Sequence, residues 1–160
     1  MLSDKDFLTS GNVYIEAAHN KAPYTRFETI LLQAFRLAPV MQKPALTGPR
    51  EKRIYELRSY ESASEKIYRN KVEMFNEGGE MAIFEKIGAN AVFYGQVLLG
   101  SQKPRLMYMT TYADMNSQKE HWAAFSNHPD WKTLRAKEEY ANTVIKPNAY
   151  LLHPTDYSDF

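Results

Sequence analysis

Arg53-Ile54-Tyr55-Glu56-Leu57-Arg58-Ser59-Tyr60 is the stretch whose reading decides the fold. Strict alternation places Ile54, Glu56, Arg58 and Tyr60 on one face of a strand and Tyr55, Leu57 and Ser59 on the other. Directly after it, Ser62-Ala-Ser-Glu65 reads as a capping box, in which each side chain satisfies an orphan N–H at a helix start. Tyr68, Val72 and Phe75 then recur at helical spacing, with Ile67 and Met74 beside them. Gly78-Gly79 predicts a break or kink, since each Gly costs about 1 kcal/mol against Ala in a helix. Ile83, Phe84 and Ile87 resume the stripe, and Gly88 stands where a helix stops.

Further along, residues 91–99 (AVFYGQVLL) and 105–112 (RLMYMTTY) read as two strands. GSQKP between them supplies Gly100 and Pro104 for a hairpin turn. Residues 114–117 open a second helical region, and Ser117-Gln-Lys-Glu120 is another capping-box pattern. Trp122 and Phe125 give that helix an apolar side. Pro129 suits the first position of a further helix carrying Trp131 and Leu134. Residues 148–152 close the series as a strand. The order βαββαβ is that of an α+β, ferredoxin-like domain.

Upstream lies one boundary. Pro39, Pro44 and Pro49 fall within eleven residues and Gly48 joins them, a linker composition. The chain thus divides into an N-terminal extension, 1–48, and a domain, 49–160. Within the extension, residues 25–35 (TRFETILLQAF) alternate and read as a strand, with a helix left open; residues 13–17 read as a short strand or an irregular segment. No complete second domain fits there. Residues 25–35 and 149–160 each follow a polar stretch, a hint of a repeat whose first copy is incomplete.

Composition bounds the function. Of 160 residues, 44% are hydrophobic, 24% charged and 13% aromatic, which excludes a disordered or fibrous chain. A net charge of +1 gives no field for nucleic acid or an anionic membrane. The absence of Cys excludes disulfides, thiolate metal sites and a Cys nucleophile together. No apolar run approaches the roughly 20 residues that span a bilayer. The acidic N-terminus, without an apolar h-region, is not a signal peptide. The four His form no metal-binding spacing, so no metal and no cofactor are implied, and no compartment is indicated.

Two helices can cover only one face of a four-stranded sheet. The other face would hold either Val92, Tyr94, Gln96 and Leu98 or Phe93, Val97 and Leu99, and neither set is polar. A sheet apolar on both faces needs cover on both. The cover is either the N-terminal extension or a second copy of the chain, and a twofold dimer is the simplest arrangement.

Several of these stretches resemble the NIPSNAP family: residues 54–60, the segment Trp122-Ala-Ala-Phe125-Ser-Asn-His128-Pro129-Asp130-Trp131, the strand at 90–95 and the strand at 106–112. Together they extend over about residues 53–150. The resemblance implies a dimeric α+β barrel, in which two ferredoxin-like sheets pack face to face around a cavity. It also implies similarity to tandem bacterial members, so that residues 1–48 look like the end of a preceding module, and an export signal would belong to a longer precursor. The family's biochemical role is poorly defined. Its relatives by fold include cofactor-free monooxygenases, decarboxylases, isomerases and haem-handling proteins, an analogy that does not transfer chemistry.

The candidate residues follow from the alternation. Glu56, Arg58 and Tyr60 share a face; inside an apolar cavity they would be a base, an anion anchor and a phenol, and otherwise a structural ion pair or an interface contact. Tyr94, Tyr108 and Tyr112, with Gln96, would surround a planar ligand or simply pack the core. His121 and His128 read as a proton shuttle or haem ligand, or as capping and surface residues, with His128 placed where a helix cap belongs. Trp122 and Trp131 read as core anchors. Three functions are compatible with this set: a small-molecule-binding homodimer, a cofactor-independent enzyme of monooxygenase or isomerase type, and a non-catalytic interaction scaffold.

Overall fold

The computed structural model describes residues 3–160. Met1 and Leu2, the first two residues of the extension, lie outside the described residues. The chain opens with two short helices, α1 (Lys5–Ser10) and α2 (Asn12–Ile15). Asp4 caps α1, its Oδ1 accepting from the amides of Asp6 and Phe7. A helical turn thus replaces the strand or irregular segment expected over 13–17. No neighbouring strand is there to pair with, and the backbone satisfies itself locally, Ile15 N–H on Gly11 O and Glu16 N–H on Asn12 O.

Five strands follow: β1 (Leu31–Ala34), β2 (Ile54–Glu61), β3 (Asn90–Leu99), β4 (Arg105–Tyr112) and β5 (Lys146–Leu152). They form one antiparallel sheet in the order β1-β3-β4-β2-β5. Four helices complete the domain: α3 (Glu65–Phe75), α4 (Glu80–Lys86), α5 (Met115–Asn127) and α6 (Pro129–Arg135). From β2 to β5 this is the ferredoxin-like βαββαβ arrangement, with each helical connection split in two. The extension adds β1 as a fifth strand beside β3. The strand expected over 25–35 is confined to its last third, and the next residue, Phe35, is fully buried in the core.

Both helix starts differ from the capping boxes read in the sequence. Ser64, not Ser62, caps α3, its Oγ accepting from Ile67 N–H. Ser62 instead donates from Oγ to the Thr143 carbonyl at 2.6 Å, tying the end of β2 to the segment before β5. Asp114 caps α5 by accepting from Ser117 N–H at 2.8 Å. A carboxylate three residues upstream outcompetes the hydroxyl, because a charged acceptor is the stronger partner for an orphan N–H. The α3–α4 break falls at Gly78-Gly79. Gly79 has φ +88°, and a Cβ at Gly78 would lie 2.6 Å from the Met74 carbonyl oxygen, so neither position admits a side chain without rearrangement.

The helices cover one face of the sheet. Phe35, Phe75, Phe84, Tyr94, Tyr108 and Phe125 form a continuous aromatic core there, with Phe75–Tyr108 ring centroids 5.2 Å apart and Phe84–Phe125 4.5 Å. The face carrying Tyr55, Leu57, Ser59, Met107 and Met109 has no helix. Chain ends border it: the Phe160 ring stacks on Tyr55 at 6.1 Å, and Arg50 donates to the carbonyls of Thr155 and Ser158, holding the C-terminal segment in place. Among the described residues no helix is long and apolar enough to cross a membrane.

Candidate functional site

Positions i and i+2 on a strand point the same way, so β2 sets Glu56, Arg58 and Tyr60 in a row beneath the helices. Glu56 is 2% exposed. Its Oε1 accepts from Arg58 Nη1 at 2.6 Å; its Oε2 accepts from Gln118 Nε2 at 2.9 Å and from Trp122 Nε1 at 2.6 Å. Three donors leave this carboxylate an anchor that fixes a guanidinium and an indole. Arg58 lies 4.3 Å from the Trp122 ring centroid and 5.5 Å from that of Tyr60. Burial works against its charge, but Tyr108, Tyr60 and Glu56 outweigh burial and push its pKa up. Its Nε is buried without a partner.

Tyr60 and Tyr108 share a hydrogen bond between their hydroxyls at 2.8 Å. Burial raises the pKa of both, with Arg58 opposing at each, so both phenols are neutral at physiological pH. Beside them lies a second ion pair. Lys71 Nζ donates to Glu80 Oε2 at 2.7 Å, and both side chains are almost wholly buried. The ammonium also sits 4.8 Å from the Phe75 ring centroid, 5.7 Å from Tyr60 and 5.8 Å from Trp131. Burial raises the Glu80 carboxyl pKa, opposed by Lys71 and then Arg58. The chain reversal at Gly78-Gly79 is what brings Lys71 on α3 to the first residue of α4.

Tyr60 and the Lys71–Glu80 pair open onto a cleft of about 320 Å³ walled also by Trp122, Phe125 and Trp131. That is the lower end of the range for small-molecule sites, roughly 300–1,000 Å³. Aromatic faces can hold a planar body, and the ion pair at the bottom offers both a donor and an acceptor. Among the described residues no cluster of three or more His, Asp or Glu side chains is placed to hold a metal ion.

The structure brings Glu56, Arg58, Tyr60 and Tyr108 together. Tyr94 stacks on Tyr108 at 5.7 Å inside the core, Tyr112 bonds Thr110 Oγ1 at 3.0 Å, and Gln96 accepts from Tyr68 at 3.3 Å, away from the cleft. All seven sit on the helix-covered face. The Glu56 face thus turns toward the helices; alternation separates two faces but does not say which one the helices take. Trp122 and Trp131 pack against Phe84 and Phe125 as anchors, yet they are half-buried and also wall the cleft. His128 caps α6, accepting from Asp130 N–H at 3.2 Å. Lys71, Glu80 and Gln118 escaped the sequence reading. The available signal was a charge within an apolar stripe: Lys71 between Tyr68 and Phe75, and Glu80 one turn before Ile83 and Phe84.

A family model described as NIPSNAP matches residues 55–159. The chain belongs to the NIPSNAP family. Among solved structures, a NIPSNAP-like domain protein of Burkholderia xenovorans is similar at 17% identity with a TM-score of 0.60, covering 68% of this chain and 90% of that one. A NIPSNAP family protein of Agrobacterium tumefaciens is similar at 20% identity and TM-score 0.58, covering 67% and 97%. A putative monooxygenase of Lactobacillus acidophilus is similar at 11% identity and TM-score 0.51, covering 88% of this chain and 58% of that one. At these identities the likeness is one of fold. No curated protein matches the sequence. In this NIPSNAP domain the matched region contains the whole helix-side cleft.

Proposed function

We propose that this NIPSNAP protein binds a small planar molecule in the helix-side cleft and acts as a homodimer paired through the helix-free face. The observation that carries the ligand reading is the buried Lys71–Glu80 pair at the base of an aromatic cleft. A buried ion pair contributes little net stability, because desolvation offsets most of its attraction. Placed under aromatic walls, it supplies a recognition element: Lys71 donates to a ligand oxygen while Glu80 accepts from a ligand N–H or O–H. Pairing is supported by the apolar, helix-free row of Leu57, Met107 and Met109, with Tyr150 and Leu152 half exposed beside it.

Native mass spectrometry of the purified protein tests both parts. The expected species has twice the 18.5 kDa chain mass and carries extra mass that the double variant Lys71→Met/Glu80→Leu no longer retains. Extra mass held equally by parent and variant would overturn the cleft reading, and a monomer would overturn the pairing. A bare dimer with an unliganded cleft would shift the reading to an interaction scaffold.

A second reading is a cofactor-independent enzyme. The hydrogen-bonded Tyr60–Tyr108 phenols beside a fixed guanidinium favour it, and one structure of similar fold is described as a putative monooxygenase. On that reading Tyr60 moves a proton and Arg58 stabilises the developing anion. Tyr60→Phe should then abolish turnover of a bound phenolic or acyl compound while leaving its affinity within about threefold. Unchanged turnover would exclude Tyr60 from the chemistry.

A further inference from the structure

Across the sheet from that cleft, the β3–β4 hairpin builds a receptor for a carboxylate. Glu28 occupies it at present. Its Oε1 accepts from Ser101 N–H at 2.9 Å, from Ser101 Oγ at 2.7 Å and from Arg105 Nη2 at 2.8 Å. Gly100 has φ +144°, and a Cβ there would lie 3.3 Å from Arg105 Nη2, so glycine lets the hairpin close this tightly on the guanidinium. The Ser101 hydrogen bonds hold the Glu28 carboxyl below its usual pKa; burial opposes them, and Arg105 adds to the lowering. The receptor therefore favours an anion.

The receptor is more permanent than its occupant. The Arg105 side chain is only 4% exposed; Nη1 donates to Gln102 Oε1 at 3.0 Å, and Nε is buried without a partner. Glu28 is 35% exposed and sits on residues 26–30, which form neither helix nor strand. Next to the receptor lies a cavity of about 550 Å³ over Leu57, Ser59, Met107 and Tyr150. Ser59 is 1% exposed and its Oγ has no partner. A buried cation needs a counter-charge at all times, so Arg105 can exchange one carboxylate for another at little net loss. A ligand that also buries apolar surface in the cavity gains a hydrophobic contribution that Glu28 lacks.

We propose that this is a binding site for a small monocarboxylate with an apolar body, whose head group displaces Glu28 from Ser101 and Arg105 and whose body fills the cavity over Leu57, Met107 and Tyr150. Glu28 acts as the built-in competitor. The site stands on residues of one chain and on the opposite face from the helix-side cleft, so it and the cleft reading fail separately; the proposed pairing shares this face. A second copy seated on this face would roof the cavity without supplying the anchor.

The test is calorimetric titration of the whole chain with decanoate, and with decanol as the uncharged control. Decanoate should bind at one site. The variant E28Q should bind it about tenfold more tightly, since the competing charge is gone, and S101A about tenfold more weakly. Ser101 is exposed on the hairpin, so its loss leaves the core intact. Decanol should gain nothing from E28Q. The variant Lys71→Met/Glu80→Leu, altered only in the helix-side cleft, should bind decanoate as the parent does. No binding by E28Q, equal affinity in parent, E28Q and S101A, decanol binding as tightly as decanoate, or loss of decanoate in the double variant would each overturn the proposal.

Discussion

On the helix-covered face, Glu56 accepts from three donors and Lys71 pairs with Glu80. On the helix-free face, Tyr55 Oη, Ser59 Oγ, Glu61 Oε1 and Arg105 Nε are buried without hydrogen-bond partners. Apart from Arg58 Nε, the first face satisfies its polar groups within one chain. The second meets its polar groups only in part and leaves Tyr150 and Leu152 half exposed. Buried polar groups left unpaired are costly, and native chains seldom tolerate several together. The helix side thus behaves as a finished interior, whereas the other side keeps unpaired polar groups beside exposed apolar ones.

The sharpest way to break this contrast is to unpair the interior. Glu80→Leu strands Lys71 as a buried cation and should cost about 3–5 kcal/mol in denaturant unfolding. Adding Lys71→Met should recover most of that loss. If the single variant is as stable as the parent, the interior is wetter than the geometry requires. Next in size, Trp122→Phe keeps an aromatic side chain but removes the indole N–H donor to Glu56 Oε2 together with some packing volume, for an expected loss of about 1.5–3 kcal/mol. A loss near zero would mean that water takes the place of the indole N–H.

Alkaline pH probes the same interior. Burial raises the phenol pKa values of Tyr60, Tyr94, Tyr108 and Tyr112, and that of Tyr68 to about 12, from an ordinary 10. An acid whose pKa is raised by folding contributes fully below its unfolded value and loses that contribution as pH climbs through the folded one. Stability should therefore fall from about pH 10 upward, across about 10–12 for Tyr68, with the other raised phenols adding to the loss as they ionise. Tyrosinate absorbance and circular dichroism followed together should show these phenols ionising only as the chain unfolds. Full ionisation of a still-folded protein near pH 10 would contradict their burial. The smallest effect belongs to the other face: Leu152→Ser, half exposed on β5, should change stability by no more than about 0.5 kcal/mol while weakening self-association in a dilution series.

Much of the fold is legible in the residues themselves. The alternation at 54–60, the glycine break at 78–79 and the Gly100/Pro104 turn specify strand, split helix and hairpin, because each rests on a local backbone preference. Helix starts are less legible. Ser62 and Ser64 both suit an N-cap, and the choice depends on Thr143, which lies 81 residues away from Ser62 and offers its carbonyl only in the folded chain. The site is legible in half. Glu56, Arg58 and Tyr60 are neighbours on a strand by simple period, whereas Lys71 and Glu80 meet across a chain reversal that no helical spacing rule reaches. Which face the helices cover depends on the handedness and docking of whole elements, so alternation alone leaves it undecided.

The fifth strand has a consequence for how the protein avoids itself. A sheet margin offers unpaired N–H and C=O groups to any passing chain and can seed fibril growth. Here one margin is β1, only four residues long and out of register between Leu31 and Leu32. The other is β5, which begins with an exposed charge at Lys146 and a residue without an N–H at Pro147. Neither rim is a good template for another strand. Side-by-side growth into a self-templating stack is thereby discouraged at both ends of the sheet.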